Sequence, residues 1–168
     1  MTSNSGDPQE SRAPFLVLGL GNALLSDDGV GPALIEQLLQ DADVRKNQTE
    51  FLDGGTQGLA LLGHLSGRKA VVIVDALATG APPGTTTVLD AVEAFRMGSR
   101  RAGTAHEGNA GELLAIARML DEVPERLFVV GIEPESLAPG CGLSQPVRRA
   151  LPLAADRVME LLTEWNAT

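Results

Sequence analysis

The 168-residue chain has a single cysteine, Cys141. That excludes an internal disulfide and the usual four-thiolate zinc sites. Positive charge is also scarce, with 13 lysines and arginines against 22 acids and a net charge of −9. This balance argues against general attraction to nucleic acid phosphates or anionic lipid, and favours a cation or a basic partner. Long apolar runs are missing: residues 15–20 are too few to span a bilayer, so no membrane association is expected. Residues 1–13 are polar and acidic, without the apolar stretch that export requires, and a reducing cytoplasm fits. Histidine occurs twice, at His64 and His106.

What is present suits one compact domain over residues 14–168, preceded by a disordered tail over residues 1–13. Phe15-Leu16-Val17-Leu18 reads as a buried parallel strand ending at Gly19. A helix follows, with Pro32 in its first turn, an apolar face of Leu34, Ile35, Leu38 and Leu39, and an end near Gln40. Residues 50–53 form a weaker strand running into Gly54-Gly55-Thr56, and residues 59–65 a short helix. Ala70-Val71-Val72-Ile73-Val74 is the clearest strand, with Asp75 at its carboxyl end. After the breaker Ala81-Pro82-Pro83-Gly84 come another strand at residues 85–89, a helical turn at 90–95 and a mobile surface loop at 96–105. Asn109 caps a helix carrying Leu113, Ile116, Ala117 and Leu120. A last strand covers residues 127–132, and a final helix residues 144–165, kinked at Pro152. No internal repeat is visible.

Strands alternating with amphipathic helices imply a largely parallel sheet covered on both faces, a three-layer α/β/α domain with functional residues at the carboxyl ends of its strands. Asp28, Asp53 and Asp75 all occupy such positions. Asp28, Asp75 and His106 are candidate metal ligands, because two carboxylates and an imidazole hold a borderline divalent cation such as nickel or zinc. Asp27 reads instead as a helix cap, His64 as a satisfied imidazole and Cys141 as an inert thiol. Arg96, Arg100 and Arg101 read as a solvated charged loop. Gly19-Leu20-Gly21 also invites a dinucleotide reading, but Leu24 stands where the third glycine belongs, and Asp27 and Asp28 would repel a pyrophosphate.

The order Gly19-x-Gly21-Asn22-x-Leu24-x-x-Asp27-Asp28-Gly29-x-Gly31, Asp53-Gly54-Gly55-Thr56, Val72-Ile73-Val74-Asp75-Ala76 and Thr104-x-His106 resembles the hydrogenase maturation endopeptidases. Val130-Gly131-Ile132-Glu133-Pro134-Glu135-Ser136-Leu137 is similar to that family's late strand and turn. The resemblance implies a mixed five-stranded sheet with one antiparallel strand, for which residues 85–89 are the candidate. It implies an aspartyl-type endopeptidase that removes the C-terminal extension of a nickel-iron hydrogenase large-subunit precursor after nickel insertion. The nickel would be supplied by the precursor and met by Asp28, Asp75 and His106, whether for catalysis or for recognition alone. Asp53, Gly54, Gly55 and Thr56 would bind substrate. No organic cofactor is expected, and a monomer is the default for docking on a large precursor. Two alternatives remain: a nickel-dependent maturation chaperone without proteolysis, and a nucleotide-binding α/β enzyme.

Overall fold

Phe15–Leu20 forms β1, buried along its whole length, and its side chains alternate between two hydrophobic layers. The computed structural model of the chain describes residues 12–40, 48–100 and 110–167. With β2 (Thr49–Gly55), β3 (Ala70–Ala76), β4 (Thr86–Asp90) and β5 (Arg126–Ile132), it builds a five-stranded sheet in the order β2-β1-β3-β5-β4. The β1–β2, β1–β3 and β3–β5 pairs are parallel, whereas β4 runs antiparallel to β5. The expected reversed strand is therefore the one observed.

Period-two alternation divides the core. Phe15 and Val17 of β1, Val72 and Val74 of β3, and Val130 and Ile132 of β5 share one cluster with helices α1 (Val30–Gln40) and α5 (Gln145–Asn166). Leu34, Ile35 and Leu38 of α1 and Val158, Leu162 and Trp165 of α5 complete that layer. Trp165 lies between Phe15 and Phe128, with ring centroids 5.8 and 6.0 Å away. On the other face, Leu16, Leu18, Val71, Ile73, Leu127 and Val129 meet α2 (Leu62–Leu65), α3 (Ala91–Arg100) and α4 (Ala110–Met119). Central strands buried on both sides must be apolar at successive positions, which explains why β1 and β3 read as continuous runs. Among the described residues, no helix is long and apolar enough to cross a membrane.

One expectation changes. The helical turn at 90–95 is the start of α3, which continues to Arg100, so residues 96–100 are helix rather than loop. Its start is fixed by a reciprocal cap: the Glu93 amide donates to Asp90 Oδ1 at 2.9 Å, and the Asp90 amide donates to Glu93 Oε2 at 3.2 Å. Ala94, Phe95 and Met97 then pack on the core, and Arg118 of α4 lies over the Phe95 ring at 5.1 Å. The final helix, α5, contains the exposed Pro152 within its span. The expected tail at 1–11, the loop residues 101–105, His106 and Asn109 lie outside the described residues.

Candidate functional site

At the carboxyl end of β1 the chain turns through Gly21, whose φ of +127° suits glycine. A Cβ there would lie 1.7 Å from the Asp28 carbonyl oxygen. Gly19 and Gly31 interlock in the same way, since a Cβ on Gly19 would come within 2.6 Å of the Gly31 carbonyl. These glycines thus let the 3-10 turn Ser26–Gly29 and the start of α1 press against β1 and β3. Helix-to-strand packing, not a pyrophosphate cradle, accounts for the glycine spacing.

Asp27 and Asp28 are neighbours with opposite tasks. Asp27 is fully buried: the amides of Glu135 and Ser136 donate to its Oδ2 at 2.9 and 3.1 Å, and the Ser144 amide donates to Oδ1 at 2.6 Å. Burial pushes its carboxyl up, but the amides of Ser144, Ser136 and Glu135 outweigh this and hold it below the usual aspartate range. The expected cap of the following helix is not made; the carboxylate holds instead the loop after β5 and Ser144, just before α5, more than a hundred residues away. The Leu25–Gly140 bridge and the Ser26 amide bond to the Gly140 carbonyl, 2.9 Å, fasten the same two loops. With Asp27 anchored, Asp28 is left half-buried, and its Oδ2 accepts from the Asn22 amide at 2.8 Å.

Asp75, at the end of β3, is 4% exposed. Its Oδ2 accepts from the amide of Ala110, the first residue of α4, at 2.8 Å. Burial raises its carboxyl from 3.8 to about 7; the charge of Asp28 adds to the rise, and the Ala110 and Ala76 amides oppose it. Two carboxylates distant in sequence therefore share one electrostatic environment. Among the described residues, no three of His, Cys, Asp and Glu gather closely enough to hold a metal ion. Asp28 and Asp75 supply two members of the expected trio, and the third, His106, is not among those residues.

Asp53, two residues before the end of β2, is exposed and accepts the Gly55 amide at 2.9 Å, while the Gly21 amide donates to the Gly55 carbonyl at 3.0 Å. The Asp53-Gly54-Gly55-Thr56 loop is thereby laced to the turn that carries Asp28. Asp53 also lines a groove of about 450 Å³ beside α1. One functional-end residue escaped a sequence-based role: Glu133, buried beyond β5, accepts from the Thr79 amide and hydroxyl at 2.5 and 2.6 Å and from the Gly80 amide at 3.1 Å. Burial raises its carboxyl, and these donors overcompensate, leaving it lowered. It pins the β3–β4 connection over the site end; its only sequence signal is its place in the Val130–Leu137 segment.

A family model described as hydrogenase maturation protease matches residues 32–161, well over half of the chain. The chain belongs to the hydrogenase maturation protease family. The Hydrogenase 2 maturation protease of Escherichia coli K12 is 35% identical over 151 residues, covering 89% of this chain and 91% of its own. The hydrogenase expression/formation protein HupD of Rhizobium leguminosarum bv. viciae is 33% identical over 162 residues, 96% of this chain and 79% of that protein. Among solved structures, the hydrogenase maturating endopeptidase HybD from E. coli superposes with a TM-score of 0.73 at 32% identity, covering 89% of this chain and 92% of its own. As a member of this family, the protein is a hydrolase of the peptidase class. Of the remaining sequence-derived residues, Cys141 is a free, exposed thiol, Arg96 is exposed on α3, and half-buried His64 accepts Arg68 Nε at its carbonyl.

Proposed function

We propose that this maturation protease removes the C-terminal extension of a nickel-iron hydrogenase large-subunit precursor after nickel insertion. Asp28, Asp75 and His106 would meet the nickel that the precursor carries. The observation that carries this reading is the buried Asp75 carboxyl, raised to about 7 in part by the charge of Asp28. Two acids brought together without a cation resist joint ionisation, and a bound divalent ion favours both charged forms. Asp28 accepts the Asn22 amide and Asp75 the Ala110 amide, each through Oδ2, and both keep acceptor capacity for a metal or a water. His106 is four residues before Ala110, whose amide holds Asp75, so a fully extended chain keeps it within ~14 Å of that residue.

In this reading, coordination by the two carboxylates and the imidazole adds an attractive term that only a nickel-loaded precursor offers, so cleavage reports loading. A carboxylate oxygen not committed to the metal then accepts the proton of the attacking water as the scissile carbonyl is polarised. The precursor is the partner and the nickel its cargo; no organic cofactor takes part, and a monomer in the cytoplasm suffices.

The test is an intact-mass measurement on the precursor, with and without nickel, before and after mixing. Truncation of only the loaded precursor is expected, and Asp28→Ala, Asp75→Ala and His106→Ala should each abolish it while the fold survives. Cleavage retained in all three variants rejects the site. An unchanged mass, in a sample that another maturation protease does cut, rejects the function.

A further inference from the structure

The groove of about 450 Å³ lies beside the Asp28 turn, with Ser26 and Gly29 forming part of its wall. Pro32, Ala33, Leu39 and Leu143 give it an apolar lining, and its charged lining residues are Glu36 and Asp53, both exposed. Among the described residues, no cation lines it. Its distance from the carboxylate pair follows from strand register. Gly19 pairs with Asp53 on one side and with Val74, the neighbour of Asp75, on the other. With strands ~4.8 Å apart, Asp53 lies about 10 Å from Asp75's position, the length of roughly three residues of extended peptide.

From this we infer that the groove is a specificity subsite for a lysine or arginine of the precursor polypeptide, about three residues from the bond presented to Asp28 and Asp75. The inference rests on the reading that a polypeptide precursor is the substrate. A long cationic side chain lays its methylene stem along apolar walls while its head reaches the acids, so one residue type satisfies both halves of the lining. An acidic residue at that place is repelled by Glu36, by Asp53 and by a protein of net charge −9. Glu36 sits on the exposed side of α1 and Asp53 near the end of an outer strand, so neither is needed to fill the core.

Two measurements separate the subsite from the protease reading. In the first, the isotope-labelled full chain is titrated by NMR, without nickel, with the capped tripeptides Leu-Arg-Leu and Leu-Glu-Leu. Shifts at Ala33, Glu36 and Leu143 are expected with the arginine peptide, and affinity should fall roughly fivefold in Glu36→Gln and again in Asp53→Asn, the upper range for a charge pair at an open surface. Equal binding of both peptides, shifts confined elsewhere, no shifts at millimolar peptide, or unchanged binding by the double variant would each overturn the proposal. In the second, processing of the nickel-loaded precursor is followed: Glu36→Gln should raise KM several-fold and leave kcat within about twofold, since the lost contact is uniform binding. A fall in kcat with KM unchanged would also overturn it. Wild-type protein that discriminates the peptides but never cuts the precursor refutes the protease reading and upholds the groove's charge preference.

Discussion

Replacing Asp75 with asparagine is expected to strengthen the fold at alkaline pH while removing a proposed metal ligand. The wild-type carboxyl titrates at about 7 in the folded protein against 3.8 as its reference. Between those values the native state keeps a proton that the unfolded chain has released, so stability falls as pH rises through this window and levels off above it. At ~1.4 kcal/mol per pH unit the full penalty is roughly 4 kcal/mol, an upper bound because water entry relaxes a buried charge. Asparagine cannot ionise, yet its amide oxygen still accepts the Ala110 amide bond, seen at 2.8 Å in the wild type. Urea unfolding followed by circular dichroism in metal-free buffer reads the effect: near pH 5, about one unit into the window, the variant should lead by at most ~2 kcal/mol, and near pH 8.5 by up to about 4 kcal/mol, or roughly 10 °C in Tm. A stability difference that is the same at both pH values would refute the reasoning, because the burial of an ionised Asp75 would then cost nothing. Asp27 and Glu133, whose folded values are lowered, act with opposite sign, contributing stability that is lost as pH falls below their normal range. Comparing variant with wild type at each pH cancels them.

Other perturbations probe the supports. Asp27→Ala strands the amides of Glu135, Ser136 and Ser144 and should cost about 3 kcal/mol in urea unfolding, with Asp27→Asn milder, because the amide retains one acceptor oxygen. Gly21→Ala puts a methyl group onto the Asp28 carbonyl and should abolish soluble expression or processing, as read by yield and precursor mass. Asp90→Ala removes one half of the α3 cap and should lower stability by about 1 kcal/mol in thermal melts, with processing unaffected.

The sequence made β1, β3, β5 and α1 legible because a single local cue, apolar periodicity, agrees there with burial. Asp75 was legible for the same reason, standing where an apolar strand stops. The α3 helix was misread because Arg96 and its small neighbours resemble loop composition, although Asp90-x-x-Glu93 spells a capping pair and Ala94, Phe95 and Met97 fall on one face. Asp27 reads locally as a cap of the adjacent helix, and its actual partners lie 108 to 117 residues onward, a separation that leaves no local trace. The groove acids Glu36 and Asp53 belong to separate elements, and only the fold brings them to one cavity.

The reversal of β4 keeps the connection that follows Asp75 at the carboxylate end of the sheet. From the end of β3 the chain reaches the start of β5, at the far end of the neighbouring strand, in three passes: down β4, up α3 and down α4. The third pass begins beside the acids, where the Ala110 amide donates to Asp75. Had β4 run parallel, residues 77–85 would have had to cross the sheet, and nine residues are fewer than such a crossover uses. A single inverted strand thus leaves a short connection beside the acids, clasped by Glu133 through Thr79 and Gly80.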